Sequence, residues 1–226
     1  MKRTAIFTLA FILVSVVGSI AQSTVQPRIT QAVDEQQLVR LAGNTHPLAQ
    51  AQYDRGAAPD SMPLQRLHLV LKRSPAQETA LRQLIRDMHT PGSASYHKWL
   101  TPEQFGEQFG PAEEDIATVA SWLASHGLQV GKVQPGKQVL EFSGNVAQLR
   151  DAFHTQIHKY VVNGETHSAN ANDPQIPSAL APVVGGFVSL NNFRLKHYIR
   201  VLGKATYNTQ TRTAMPEWTY GNSSGV

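Results

Sequence analysis

"LQRLHLVLKRSPAQETALRQLIRDM", residues 64–88, changes its repeat part-way through. Leu67, Leu69 and Leu71 alternate with His68, Val70 and Lys72, the two-residue period of a strand with one buried face. Ser74 is then an N-cap, Pro75 takes the first helical position, and Gln77 completes a capping box. Leu81, Leu84, Ile85 and Met88 follow at the spacing of one helical face, and the helix stops near "HTPG". A strand that feeds directly into an amphipathic helix is the first half of a crossover.

The next stretch, residues 93–111, repeats the capping device: Thr101 is the cap, Pro102 the first helical residue and Gln104 the reciprocal partner. Leu100 and Phe105 are placed to form a hydrophobic staple, Phe105 and Phe109 share a face, and Gly110 is expected to close the helix in a left-handed cap. Trp99, Phe105 and Phe109 are therefore expected in the core beneath a helical connection. Pro111 is expected to start a third helix. Glu113, Glu114 and Asp115 suit its positive end, Ile116, Val119, Ala120 and Leu123 form its stripe, and His126-Gly127 ends it.

Two hairpins follow. "LQVGKV", the turn "QPGK" and "QVLEFS" make the first, and "QIHKYVV", Asn163-Gly164 and "ETHSA" the second. Between them Asn145 caps a short helix carrying Val146, Leu149 and Phe153. Residues 176–193 give a short Pro-started helix and an apolar run. The order, strand, crossover, hairpin, helix, strand, predicts an α+β fold. It has a ferredoxin-like antiparallel sheet with helices on one face, an extra strand and a helical insertion. The other face of the sheet needs water or a partner.

The flanks read differently. Lys2 and Arg3 precede the apolar run 5–17, and Ser19 and Ala21 are small residues before Gln22, so residues 1–21 are expected to be a secretory signal cut between Ala21 and Gln22. Secretion to an extracellular or periplasmic space follows, with no membrane association after removal. Residues 22–61 read as an N-terminal arm with one short helix at 32–41, and residues 200–226, which lack periodicity, as a flexible linker. The chain has no cysteine, so packing alone must hold it. The formal charge of +4 falls to +2 without Lys2 and Arg3, and no basic stripe with interleaved aromatics suggests nucleic acid.

The search for chemistry gives no catalytic, cofactor or metal residue. "GNSSG", 221–225, matches a nucleophile elbow around Ser223, but no strand leads into it. His154 and His158 have helical zinc spacing, but the helix ends near His154 and His158 falls in a strand. Glu113 and Glu114 are adjacent and diverge. The nine histidines, His46, His68, His89, His97, His126, His154, His158, His167 and His197, would carry the formal charge from +2 to +11 in acid. Any that are buried and neutral would oppose folding there.

"YHKWLTPEQFGEQFGP" (96–111), "EEDIATVASWLASHGL" (113–128), "FSGNVAQLRDAFHTQIHKY" (142–160) and "IPSALAPVVGGFVSLNNF" (176–193) together resemble the activation prodomain of the sedolisins, the kumamolisin-like serine-carboxyl peptidases. The resemblance covers about residues 62–197 and implies a subtilisin-prosegment-like domain, taken as 62–199. It implies a prodomain that assists folding of a sedolisin-type catalytic domain, blocks its cleft and is removed at acid pH, in cis or in trans. The Ser-Gly-Thr-Ser type motif of the family's catalytic serine has no counterpart: Ser143-Gly144 and Ser224-Gly225 are not followed by Thr-Ser. Alternative expectations are a truncated serine peptidase precursor whose activity lies in absent downstream sequence, and a free-standing exported binding module.

Overall fold

The alternation of Leu67, Leu69 and Leu71 becomes the central strand of a four-stranded sheet, with all three leucines buried and His68 and Val70 on the opposite side. The computed structural model describes residues 25–188, 190–193 and 205–216. In chain order the strands and helices are β1 (Leu38–Arg40), β2 (Asp54–Ala57), β3 (Pro63–Leu71), α1 (Pro75–His89), α2 (Pro102–Phe109), α3 (Glu113–Ser125), β4 (Gln129–Val130), β5 (Val139–Asn145), α4 (Val146–Phe153), β6 (Ile157–Val162), β7 (Glu165–Asn170), β8 (Gln175–Pro177) and β9 (Val184–Phe187). A separate unit holds a hairpin of β10 (Ala205–Asn208) and β11 (Thr213–Pro216), where the sequence suggests no regular structure.

The main sheet runs β4-β5-β3-β9, antiparallel throughout, which is the ferredoxin-like order. Leu67 lies opposite Phe142 and Leu69 opposite Leu140, so one face collects these side chains. Ile116, Val119, Trp122 and Leu123 of α3 cover it together with Val146, Leu149, Ala152 and Phe153 of α4. Phe153 meets Phe187 and Trp122 edge-on, at 4.7 and 5.3 Å between centroids. The fourth strand is β9, out of the apolar run. The Asn163-Gly164 hairpin, with positive φ at both turn residues, instead joins β2 in a second sheet ordered β2-β6-β7. A third pairing joins β1 to β8.

Both predicted capping boxes form, at Ser74 and Thr101, and the Asn145 cap proves to be a third, each with a reciprocal glutamine. Several other expectations are corrected. Residues 32–41 are not helical. An Asp34 side-chain oxygen accepts the Gln36 N–H at 2.9 Å, a local bond that competes with helix, and residues 38–40 pair with β8. Gly110 is extended, at φ −75° and ψ 169°, because Pro111 disfavours a helical or left-handed residue before it. The third helix begins at Glu113 rather than at Pro111. Trp99 is 60% exposed, not core: it stacks on His97 and meets His89 edge-on in the 90–101 loop. Helix α1 packs on α2 away from the sheet, so only Met88 of its stripe is buried and Ile85 faces solvent. The signal segment with Ala21 and Gln22, His197, and the Ser223 motif lie outside the described residues.

Candidate docking interface

The face of the main sheet turned away from α3 and α4 carries His68 and Val70 on β3, Val139, Glu141 and Ser143 on β5, and Gln129 on β4. Strand alternation puts them there: each is one residue out of step with a core leucine or phenylalanine. His68 lies directly across from Glu141, with Nε2 3.3 Å from the carboxylate, and Arg66 Nε approaches the same oxygen at 3.5 Å. Val70 and Val139 form the neighbouring cross-strand pair. Opposite Val70 on β9 stands Gly186, which adds no side chain. Val188, just past β9, is 61% exposed and donates its N–H to the His68 carbonyl at 3.1 Å. The result is a shallow surface of valines around one Arg-Glu-His cluster. That composition can bury area against another protein and fix its register. It offers no nucleophile with an oriented base.

The residues weighed for chemistry are not brought together. His154 ends α4 in a left-handed conformation, whereas His158 sits in β6 with Nδ1 2.8 Å from Asp54. Among the described residues no group of three or more histidine, cysteine or acidic side chains could hold a metal ion. Glu113 pairs with Lys137 at 2.6 Å. Asp115 is 1% exposed and accepts the N–H groups of Arg28 and Ile29, all at 2.9 Å. Its place on the stripe with Val119 and Trp122 was the signal that it does more than begin a helix. Asp173, missed entirely in the sequence, is 6% exposed. It accepts from Arg40, from the N–H groups of Gly43 and Asn44, and from the Thr45 hydroxyl.

The histidines are placed differently from a set of buried neutral rings. His68, His126, His158 and His167 each face a carboxylate: Glu141, Glu35, Asp54 and Glu165. A charged imidazole there has a counter-charge. Burial, and then His167 nearby, lower the pKa of His46. Three carboxyls are held below their ordinary range: Glu78, by hydrogen bonds from Arg73 and Arg82, and Asp173 and Asp54. Burial opposes this at Asp173, but Thr45, Arg40, Gly43 and Asn44 together outweigh it. At Asp54 burial is likewise outweighed by the Gly56 N–H, His158 and the Arg55 N–H.

Residues 50–193 match the family described as "Pro-kumamolisin, activation domain". Sedolisin of Pseudomonas sp. (strain 101) is 29% identical over 137 residues, 61% of this chain and 23% of that protein. Xanthomonalisin of Xanthomonas sp. (strain T-22) is 30% identical over 131 residues, 58% of this chain and 16% of that protein. A tripeptidyl-peptidase of Arthroderma otae is 27% identical over 119 residues, 52% of this chain and 20% of that protein. The chain thus spans less than a quarter of the length of these relatives. Among the described residues no helix is long and apolar enough to cross a membrane.

Proposed function

The chain belongs to the pro-kumamolisin activation domain family, and from that premise we propose that it is an intramolecular chaperone and inhibitor of a secreted sedolisin-type peptidase. The signal at 1–21 exports it, residues 62–199 form the inhibitory domain, and residues 200–226 are the segment cut on maturation in acid. The open face of the main sheet docks on the catalytic domain through Val70, Val139 and Val188, with the Arg66-Glu141-His68 cluster setting orientation. The match over residues 50–193, which takes in every strand of that sheet, carries the reading.

The test is inhibition of a kumamolisin-like peptidase by the full chain from pH 7 to pH 4, with uninhibited activity at each pH as reference. Inhibition at pH 7 should weaken towards pH 4. Val70→Arg should weaken it at least tenfold at pH 7 while leaving the unfolding midpoint nearly unchanged. No inhibition at any pH refutes the inhibitor role, and full inhibition by the Val70→Arg chain refutes the docking face.

A further inference from the structure

Residues 25–61 contribute little to the main sheet, yet they are fastened along its flank by two short strand pairings, β1 with β8 and β2 with β6, and by a series of side-chain contacts, five of which share one chemistry. Near the start, Asp115 takes the N–H groups of Arg28 and Ile29. The Arg28 guanidinium reaches the carbonyls of Pro182 and Lys72 beside it. Seven residues on, Glu35 accepts from the Trp122 indole N–H at 2.7 Å, with His126 Nε2 at 3.1 Å. Asp115 is near the start of α3 and His126 just past its end, so the arm runs the length of that helix. Ile29 and Val33 pack against the core on the way. Asp173 then gathers Arg40, Gly43, Asn44 and Thr45. Asp54 meets His158 at 2.8 Å, and Asp60 meets Arg150 at 2.6 Å. Every one of these five fasteners has a carboxylate as acceptor, on the arm in three and on the body in two.

We propose that the arm is an acid-released latch: protonation of the carboxylates that fasten residues 25–61 frees the arm before the main sheet unfolds. A neutral carboxyl is a weaker acceptor than the ion and cannot serve five donors, as Asp173 does. The charged neighbours act in the same sense. Arg28 with Lys72 close by, Arg40, Arg55 and Arg150 remain positive when their carboxylates are lost. His46 on the arm and His167 on β7 repel once both are protonated. His126 faces Glu35 and His158 faces Asp54, so a positive imidazole at either place has a counter-charge beside it.

The pH window follows from the two fastening carboxyls whose folded pKa values are depressed, Asp173 and Asp54. Their contribution is complete above the ordinary carboxyl value of about 3.9 and is lost as pH falls below it, through their lower folded values. The latch should hold at pH 5 and open below about pH 4. Release uncovers Trp122 and the edges of β6 and β8 while β3, β4, β5 and β9 stay paired. None of this depends on what the open face binds.

The experiment is amide hydrogen exchange on the full chain, read residue by residue as protection factors, which remove the intrinsic pH effect. Between pH 5 and pH 3, protection at Arg28, Ile29, Gly43 and Asn44 should fall at least tenfold, while Leu69 and Leu140 keep theirs. Asp173→Asn should lower protection at Gly43 and Asn44 at least tenfold already at pH 7. Should that variant not fold, Glu35→Ala, at a side chain 41% exposed, should lower protection at Arg28 and Ile29 at least threefold at pH 7. Unchanged arm protection at pH 3, loss of arm and sheet together, or an unaffected arm in the folded variant overturns the latch.

Discussion

Replacing Gly106 by alanine sets two known effects against each other, and the structure decides between them. Gly106 lies in α2, where alanine gains about 1 kcal/mol in helix propensity. It is buried, and a Cβ built on it would sit 2.0 Å from the carbonyl oxygen of Pro135 and 3.1 Å from its carbonyl carbon. Ordinary carbon–oxygen approach stops near 3.3 Å, so α2 must move by roughly 1.3 Å from the β4–β5 turn. The obstacle is backbone, which cannot rotate aside. The same turn is held by the Lys137–Glu113 pair at 2.6 Å and packs on Gly110, where a Cβ would meet Lys137 Cβ at 2.8 Å. Overpacking costs about 1–3 kcal/mol, and a backbone clash belongs at the upper end. The net effect is a loss of about 2 kcal/mol, or roughly 4–8 °C in Tm for a domain of this size. Urea and thermal unfolding of Gly106→Ala beside the parent measure it. Gly136→Ala is the control, since its Cβ would meet nothing nearer than Gln138 Nε2 at 3.9 Å, and it should be near-neutral. A Gly106→Ala chain as stable as the parent refutes the tight packing of α2 on the turn.

Two further substitutions test single features. Trp99→Ala should leave the unfolding free energy from urea within about 0.5 kcal/mol of the parent, as exposed sites do, and a loss of about 3 kcal/mol would restore Trp99 to the core. Asn145→Ala removes the side-chain acceptor of the Gln148 N–H at 2.9 Å and should cost about 1 kcal/mol in the same assay; no change would mean that β5, not the cap, sets the start of α4.

What could be read in advance was local. Ser74, Thr101 and Asn145 announce three helix starts because the cap and its glutamine lie within one turn of chain. Leu67, Leu69 and Leu71 announce β3 because their period is two. The misreadings share the opposite property. Trp99 lies beside a correctly read helix, but the three-dimensional course of the 90–101 loop decides whether it is covered. Stripe residues of α1 have the right spacing yet face α2 and solvent rather than the sheet. Nothing near β6 or β9 in sequence says which of them closes the main sheet. The arm was hardest: its strands are short, and their partners, like those of Asp115 and Asp173, lie far along the chain. For the docking face, alternation told which residues share a side, but not that Arg66, His68 and Glu141 would meet.

The arm also bears on the order in which the molecule is assembled. Arg28 is 87 residues from Asp115 and Arg40 is 133 from Asp173. Closing such loops costs entropy before any contact repays it; β9 meets a similar cost in reaching β3, with Val70 opposite Gly186, but brings core side chains with it, whereas the arm brings short strands and single ion pairs, so the arm's contacts are expected to form late. The arm leaves the ribosome before every segment it will touch, and it is expected to dock after the body has formed. Its contacts then contribute to the native state and little to the folding transition state. Weakening them should accelerate unfolding and leave the folding rate almost unchanged. The segment made first thus governs how long the folded domain lasts, and the sheet governs how quickly it is reached.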